Sequence, residues 1–143
     1  MKTAEDYFYE VEFEDSNFSR TPLPFGEYEK CVFTNCNFSK ARLNDYKFVE
    51  CEFISCDLSM VKLANTSLRD VMFTECKMLG LKFEECHEFG LAVSFDKCIL
   101  NDSSFYKTTI FTVAVKNRCP FLIVVFIGLT KVLIIFIRPS PNR

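Results

Sequence analysis

Glycine and histidine are scarce in this chain. Among 143 residues there are four glycines and one histidine, His87. Four scattered glycines make no Gly-rich phosphate cradle, and one histidine makes no His-rich metal site. No G-x-S-x-G segment occurs. Acidic residues stop at Asp102, although six basic residues follow (Lys107, Lys116, Arg118, Lys131, Arg138, Arg143). The apolar residues through the body of the chain follow neither the 3.6-residue period of a helix nor the two-residue period of a strand. With these signatures missing, no enzymatic activity and no cofactor are expected.

A period of five is present instead. From Phe8 to Phe83 every fifth residue is large and apolar, including Phe33, Phe38, Phe48, Phe53, Leu58, Leu63, Leu68, Phe73 and Phe83. On an α-helix such a column spirals around the surface and lines no single face. Two residues before each large one stands a second column of mostly small residues, among them Cys36, Cys56 and Cys76. Between Val11 and His87 there are 22 charged residues, and none falls in either column. Charges placed without regard to the period would do this roughly once in 10^5 trials. Both columns therefore point inward, and each five-residue unit turns one corner of a solenoid.

The motif of small residue, any residue, Leu or Phe, and two polar residues resembles that of the pentapeptide-repeat proteins. Cys36-Asn37-Phe38-Ser39-Lys40, Ala41-Arg42-Leu43-Asn44-Asp45 and Cys56-Asp57-Leu58-Ser59-Met60 carry the likeness. It covers residues 6–110. The resemblance implies an all-β fold, a right-handed quadrilateral β-helix with four five-residue faces per coil. At 20 residues per coil, about five coils are expected, in a rod roughly 25 Å long. Residues 1–28 are expected to form an irregular N-terminal cap and first coil, because Pro22 and Pro24 cannot donate to a ladder. Residues 29–110 form the repeat, and 111–143 a non-repeat hydrophobic tail.

The register slips once. Glu88 stands where a large apolar residue belongs, and the ladder resumes at Phe95, twelve residues after Phe83. Two surplus residues must bulge out within 87–92. His87, Glu88, Phe89 and Gly90 are the candidate partner-binding loop, with a tolerated structural bulge as the plainer alternative. Cys86 and His87 are adjacent, so a β-coil turns them in opposite directions and they do not form a catalytic dyad.

Seven of the eight cysteines occupy the small inward column, and only Cys119 does not. Stacked, parallel side chains suit neither a disulfide nor converging metal ligands. With no N-terminal signal peptide read in the sequence, a reducing, cytoplasmic setting is expected, with the thiols acting as small hydrophobes. On that reading Cys56→Ser, which buries a hydroxyl, is more disruptive than Cys56→Ala.

Residues 1–110 hold 12 basic and 19 acidic residues, a net charge of −7 (12 − 19). An acidic rod does not bind nucleic acid directly through its phosphates. Three functions remain. One is a protein-binding solenoid whose sides or 87–92 loop engage an unidentified protein. The second is implied by the family resemblance: an acidic DNA mimic that binds a type II topoisomerase and protects it from quinolones, as a homodimer paired through its C-terminal ends. The third is a membrane-tethered scaffold. Residues 121–137 read FLIVVFIGLTKVLIIFI, about 25 Å as a helix, just short of a bilayer core of about 30 Å. That tail also reads as sequence unrelated to the repeat, which the abrupt loss of both acids and period favours, or as a hydrophobic cap over the last coil.

Overall fold

The computed structural model describes residues 6–105 in full, together with the backbone of two strands beyond them, Ile110–Lys116 and Lys131–Ile137. In chain order the strands are β1 (Asp6–Tyr9), β2 (Glu12–Glu14), β3 (Gly26–Glu29), β4 (Val32–Thr34), β5 (Lys47–Val49), β6 (Glu52–Ile54), β7 (Ser67–Arg69), β8 (Val71–Thr74), β9 (Ala92–Asp96), β10 (Ile110–Lys116) and β11 (Lys131–Ile137). One short 3₁₀ turn, Phe83–Glu85, interrupts them. Every strand pair is parallel and joins one coil to the next. Tyr28 lies between Phe8 and Phe48, and Phe33 between Phe13 and Phe53, each a step of twenty residues.

Four faces follow from this register. The first is the sheet β1-β3-β5-β7, and the second is the sheet that begins β2-β4-β6-β8-β9. Single bridges through Asn17, Asn37, Asp57 and Lys77 make the third face, and the bridge between Arg42 and Lys62 marks the fourth. The chain is an all-β solenoid of about five coils, square in section.

The corners explain the period. From Lys30 (φ 53°) to Glu75 (φ 52°), every fifth residue has a positive φ. That conformation costs an L-residue about 1–2 kcal/mol. The corner amides recover it through the ladder. Lys30 N–H donates to Val49 O at 2.9 Å, Glu50 N–H to Arg69 O at 2.8 Å and Glu75 N–H to Asp96 O at 2.8 Å. Asn and Asp tolerate the left-handed region best. At two corners they also bond along the rod: Asn35 Nδ2 to Asp15 Oδ1 and Asn65 Nδ2 to Asp45 Oδ1, both at 2.7 Å.

The large column fills the axis. On the second face Phe13, Phe33, Phe53, Phe73 and Phe95 form one pile of near-parallel rings, 4.7–5.5 Å between centroids. Rings from neighbouring faces meet this pile edge-on, as Phe48 and Phe38 do against Phe53 at 5.5 and 5.6 Å. Offset-stacked and edge-on contacts are both favourable for aromatic quadrupoles.

The small column is more polar in its contacts than the sequence suggests. Cys51 Sγ donates to Tyr28 O at 3.1 Å, Cys56 Sγ to Phe33 O at 3.3 Å and Cys76 Sγ to Phe53 O at 3.2 Å. Each acceptor lies 23 residues earlier, in the preceding coil. Thr66 Oγ1 makes the same bond to Leu43 O at 2.7 Å, and Ser103 Oγ to Met78 O at 2.8 Å. This overturns the expectation that a hydroxyl at position 56 lacks a partner. All seven described cysteines are buried free thiols.

Tyr46 is the large exception in this column. Its hydroxyl donates to Leu23 O at 2.5 Å, and that of Tyr28 donates to Pro24 O. These two buried tyrosines take over where the prolines leave the ladder. The rest of the first coil is regular, with β1 and β2 in full register against β3 and β4. The irregularity expected of residues 1–28 is therefore confined, among the described residues, to about 20–25. Gly26 holds the tightest point: a Cβ there would sit 2.2 Å from Asp6 O.

Beyond the ladder, β10 and β11 continue the second sheet. Val113 pairs with Val93 and Val115 with Phe95, and Ile110 pairs with Lys131. Residues 131–137 are thus a strand and not the end of a helix spanning 121–137. Residues 117–130 lie outside the described part. Among the described residues no helix is long and apolar enough to cross a membrane.

Phe53→Ala removes a ring that is 1 % exposed from the middle of the pile. The expected loss is about 3–5 kcal/mol in chemical denaturation; an unchanged midpoint means that the ring is not inside. At position 56, serine keeps a donor for Phe33 O and alanine does not. Cys56→Ser is therefore expected to be the milder change, by about 1 kcal/mol, and the reverse order in paired denaturation curves marks the thiol as a plain apolar filler. Burial also pushes the Cys51 and Cys86 thiols up to about 12 from an ordinary 9.0, and raises Tyr28 and Tyr46. The folded chain keeps protons that the unfolded chain releases, so stability is complete below about pH 9 and falls from there toward pH 12. A denaturation midpoint constant from pH 8 to pH 11 contradicts this.

Candidate functional site

The loop at the register slip occupies only part of the 87–92 window in which the sequence places it. His87 N–H still joins the ladder, donating to Thr66 O at 2.9 Å. Glu88, Phe89 and Gly90 are exposed, with the Phe89 ring 78 % accessible. Phe89 N–H donates to His87 Nδ1 at 3.3 Å, and the two rings lie 5.7 Å apart. Gly90 has a φ of +72°, and a Cβ there would meet Arg69 Nε at 2.9 Å. Leu91 then returns to the core, 3 % exposed, and supplies the inward apolar side chain that Glu88 does not. Ala92 opens β9. The projecting element is therefore His87–Gly90, not the whole of 87–92.

Cys86 is buried and His87 sits at the base of the loop with its ring against Phe89. Among the described residues, no group of three His, Cys, Asp or Glu side chains is placed to hold a metal ion. The thiol column Cys36, Cys56, Cys76 and Cys98 stacks along the second-to-third face corner. Hydrogen bonding to the Cys56 and Cys98 thiols, added to burial, raises Cys76. The Cys51, Cys76 and Cys86 thiols are therefore protonated at neutral pH and are poor nucleophiles and poor ligands.

The charge of the rod is unevenly distributed, which the sequence reading did not detect. The outward positions of the second face carry Glu12, Glu14, Asp15, Glu52, Glu75 and Asp96 against Lys97 alone, a net −5 (1 − 6). The fourth face, opposite, carries Asp45, Glu84 and Glu85 against Arg42, Lys62 and Lys82, a net of zero over residues 42–104. The single salt bridge found among the described residues, Lys30 Nζ to Glu50 Oε2 at 4.0 Å, lies on the corner between the first and second faces. Listing outward residues at twenty-residue intervals would have exposed this stripe; summing charge along the chain conceals it. The first face adds two exposed tyrosines at the same end. Tyr7 donates its hydroxyl to Glu29, which pushes its pKa up to about 12, and Tyr9 lies 5.8 Å beneath Lys30 Nζ.

Comparison with known proteins agrees with this architecture at the level of the repeat. The family model of the pentapeptide repeat region matches residues 27–88. No curated protein matches the chain significantly. Among solved structures, trypsin-treated R167E QnrB1, a plasmid-mediated fluoroquinolone resistance protein, is similar at 15% identity over 90% of this chain and 92% of that one, with a TM-score of 0.39. Full-length QnrB1 is similar at 17% identity over 78% and 67%, with a TM-score of 0.38. Rfr23, a pentapeptide repeat protein from the cyanobacterium Cyanothece 51142, is similar at 10% identity over 94% and 84%, with a TM-score of 0.24. Superpositions this far below 0.5 carry no argument, so the assignment rests on the coil register and the family model. Over residues 27–88 the chain matches the pentapeptide-repeat model, and the coil register there agrees with it.

Proposed function

We propose that this protein is a non-enzymatic binding rod that engages the basic surface of a protein partner along its second face. The observation that carries this reading is the distribution of charge: six carboxylates against one cation on one side, and balance on the other. Like charges gathered on one face raise association rates and select partners of opposite sign. The parallel ladder beneath them holds their spacing, so little ordering is required on binding. The exposed Phe89 at the last described coil offers an apolar contact next to the charged face.

The same face supports a second, narrower reading, in which the rod stands in for nucleic acid in the basic groove of a type II topoisomerase. The six carboxylates span about 19 Å at about 4.8 Å per coil. That averages about one charge per 3 Å, roughly half the linear density of duplex DNA, with three of the six in the first coil and none in the second. Such a rod presents one strand's worth of charge and no more.

Two triple variants separate a face-specific function from general acidity. Glu12→Lys, Glu52→Lys and Glu75→Lys reverse the second face; Asp45→Lys, Glu84→Lys and Glu85→Lys change the fourth. Affinity capture is expected to retain the same partners on the unaltered protein and on the fourth-face variant. Those partners should be lost from the second-face variant, and from all three at about 0.5 M salt, where screening is nearly complete. The same partner set on all three proteins contradicts the proposal. Purified type II topoisomerase measured in the same way tests the narrower reading, which fails if the enzyme is not retained by the unaltered protein.

A further inference from the structure

The fourth face is interrupted between the first and second coils. Pro22 and Pro24 have no N–H to donate. Thr21 N–H turns back to Asn17 O at 3.3 Å, and tyrosine hydroxyls cap the Leu23 and Pro24 carbonyls. Between the second and third coils, Lys62 N–H donates to Ala41 O at 2.9 Å, and Leu43 N–H donates to Lys62 O at 3.0 Å. Peptide groups alternate in direction along a strand, so Arg42 N–H and C=O point the other way, toward the first coil. Among the described residues they meet no backbone partner there.

A cleft of about 210 Å³ occupies that place. Phe18, Pro22 and Leu23 line it from the first coil, and Lys40, Arg42 and Leu43 from the second. Leu23 and Leu43 are buried and form an apolar floor. Lys40 and Arg42 are exposed at the rim, and neither lies within salt-bridge distance of a carboxylate among the described residues. In a rod with an excess of acid, two unpaired cations beside an unpaired backbone donor form a local anion-binding arrangement.

We infer that this cleft binds a small organic carboxylate with an apolar body. The carboxylate meets the Lys40 and Arg42 side chains and the Arg42 N–H, and the apolar body lies against Phe18, Leu23 and Leu43. Size allows it: a cavity of about 150 Å³ lined by aliphatic and aromatic side chains takes benzene. Water is a poorer occupant, because an ordered water needs two to four polar partners and the floor supplies none. An inorganic oxyanion leaves that floor unused. The site lies on the face opposite the acidic stripe and does not depend on it.

Benzoate is the probe, with benzamide as its uncharged counterpart, titrated into the full chain and followed by amide chemical shifts. The Arg42 amide is expected to move saturably with a millimolar Kd. Benzamide should bind about tenfold more weakly or worse, and Lys40→Gln with Arg42→Gln should weaken benzoate by a similar factor at an unchanged unfolding midpoint. Equal binding of benzoate and benzamide, or an Arg42 amide that does not move at tens of millimolar benzoate, overturns the inference. Undiminished benzoate binding by the double variant also overturns it. If that variant unfolds, the comparison of benzoate with benzamide on the unaltered chain decides alone.

Discussion

The backbone ladder between successive coils is what the rest of the structure depends on. From Lys30 to Glu75 each unit of five residues turns its corner through a left-handed residue, and in isolation that turn is unfavourable. The corner amide then donates to the next coil, as Asn35 does to Ile54 and Ser55 to Thr74, each at 2.9 Å. A single coil therefore has little reason to form, whereas a stack of coils does. The inward columns follow from the same constraint. Side chains that stack at the strand spacing must be flat, or branched and compact, and the second face answers with five phenylalanines in one pile.

Function is placed by what this constraint leaves free. Inward positions admit no charge, so all chemistry available to a partner lies on outward positions, repeated every twenty residues. Coils in register gather scattered acidic residues such as Glu12, Glu52 and Glu75 onto one face. Where the ladder fails, the chain departs from the rod in two different ways. At the register slip it bulges outward as His87–Gly90. At Pro22–Pro24 it withdraws and leaves a cleft, with Tyr28 and Tyr46 reaching across the gap from within.

The fold was legible because it is written in single residues at a fixed interval. Phe53 and Phe73 could be placed on one face from their spacing alone, and their rings stack 5.2 Å apart. Three features were not legible, for separate physical reasons. The acidic stripe depends on which residues coincide after twenty positions, and total charge does not record that. The hydrogen bond of Cys56 to Phe33 O depends on a thiol lying over a carbonyl of the coil before it, which a list of small residues does not reveal. Which residues within 87–92 leave the rod depends on the burial of Leu91, which confines the projection to the four candidate residues His87–Gly90. Tyr46 was visible as an oversized residue in the small column, and only the prolines across the gap explain it.

Amide hydrogen exchange, read residue by residue, tests most directly the claim that the ladder holds the rod and breaks once in its first half. Leu43, Lys62, Asn35 and Phe38 donate between coils, and their amides should exchange slowly, near the rate set by global unfolding. The Arg42 amide, flanked in sequence by the bonded Ala41 and Leu43, should exchange faster than its neighbours by orders of magnitude. An Arg42 amide as protected as that of Leu43 would mean that the first two coils are joined on the fourth face, and both the break and the cleft would then be absent.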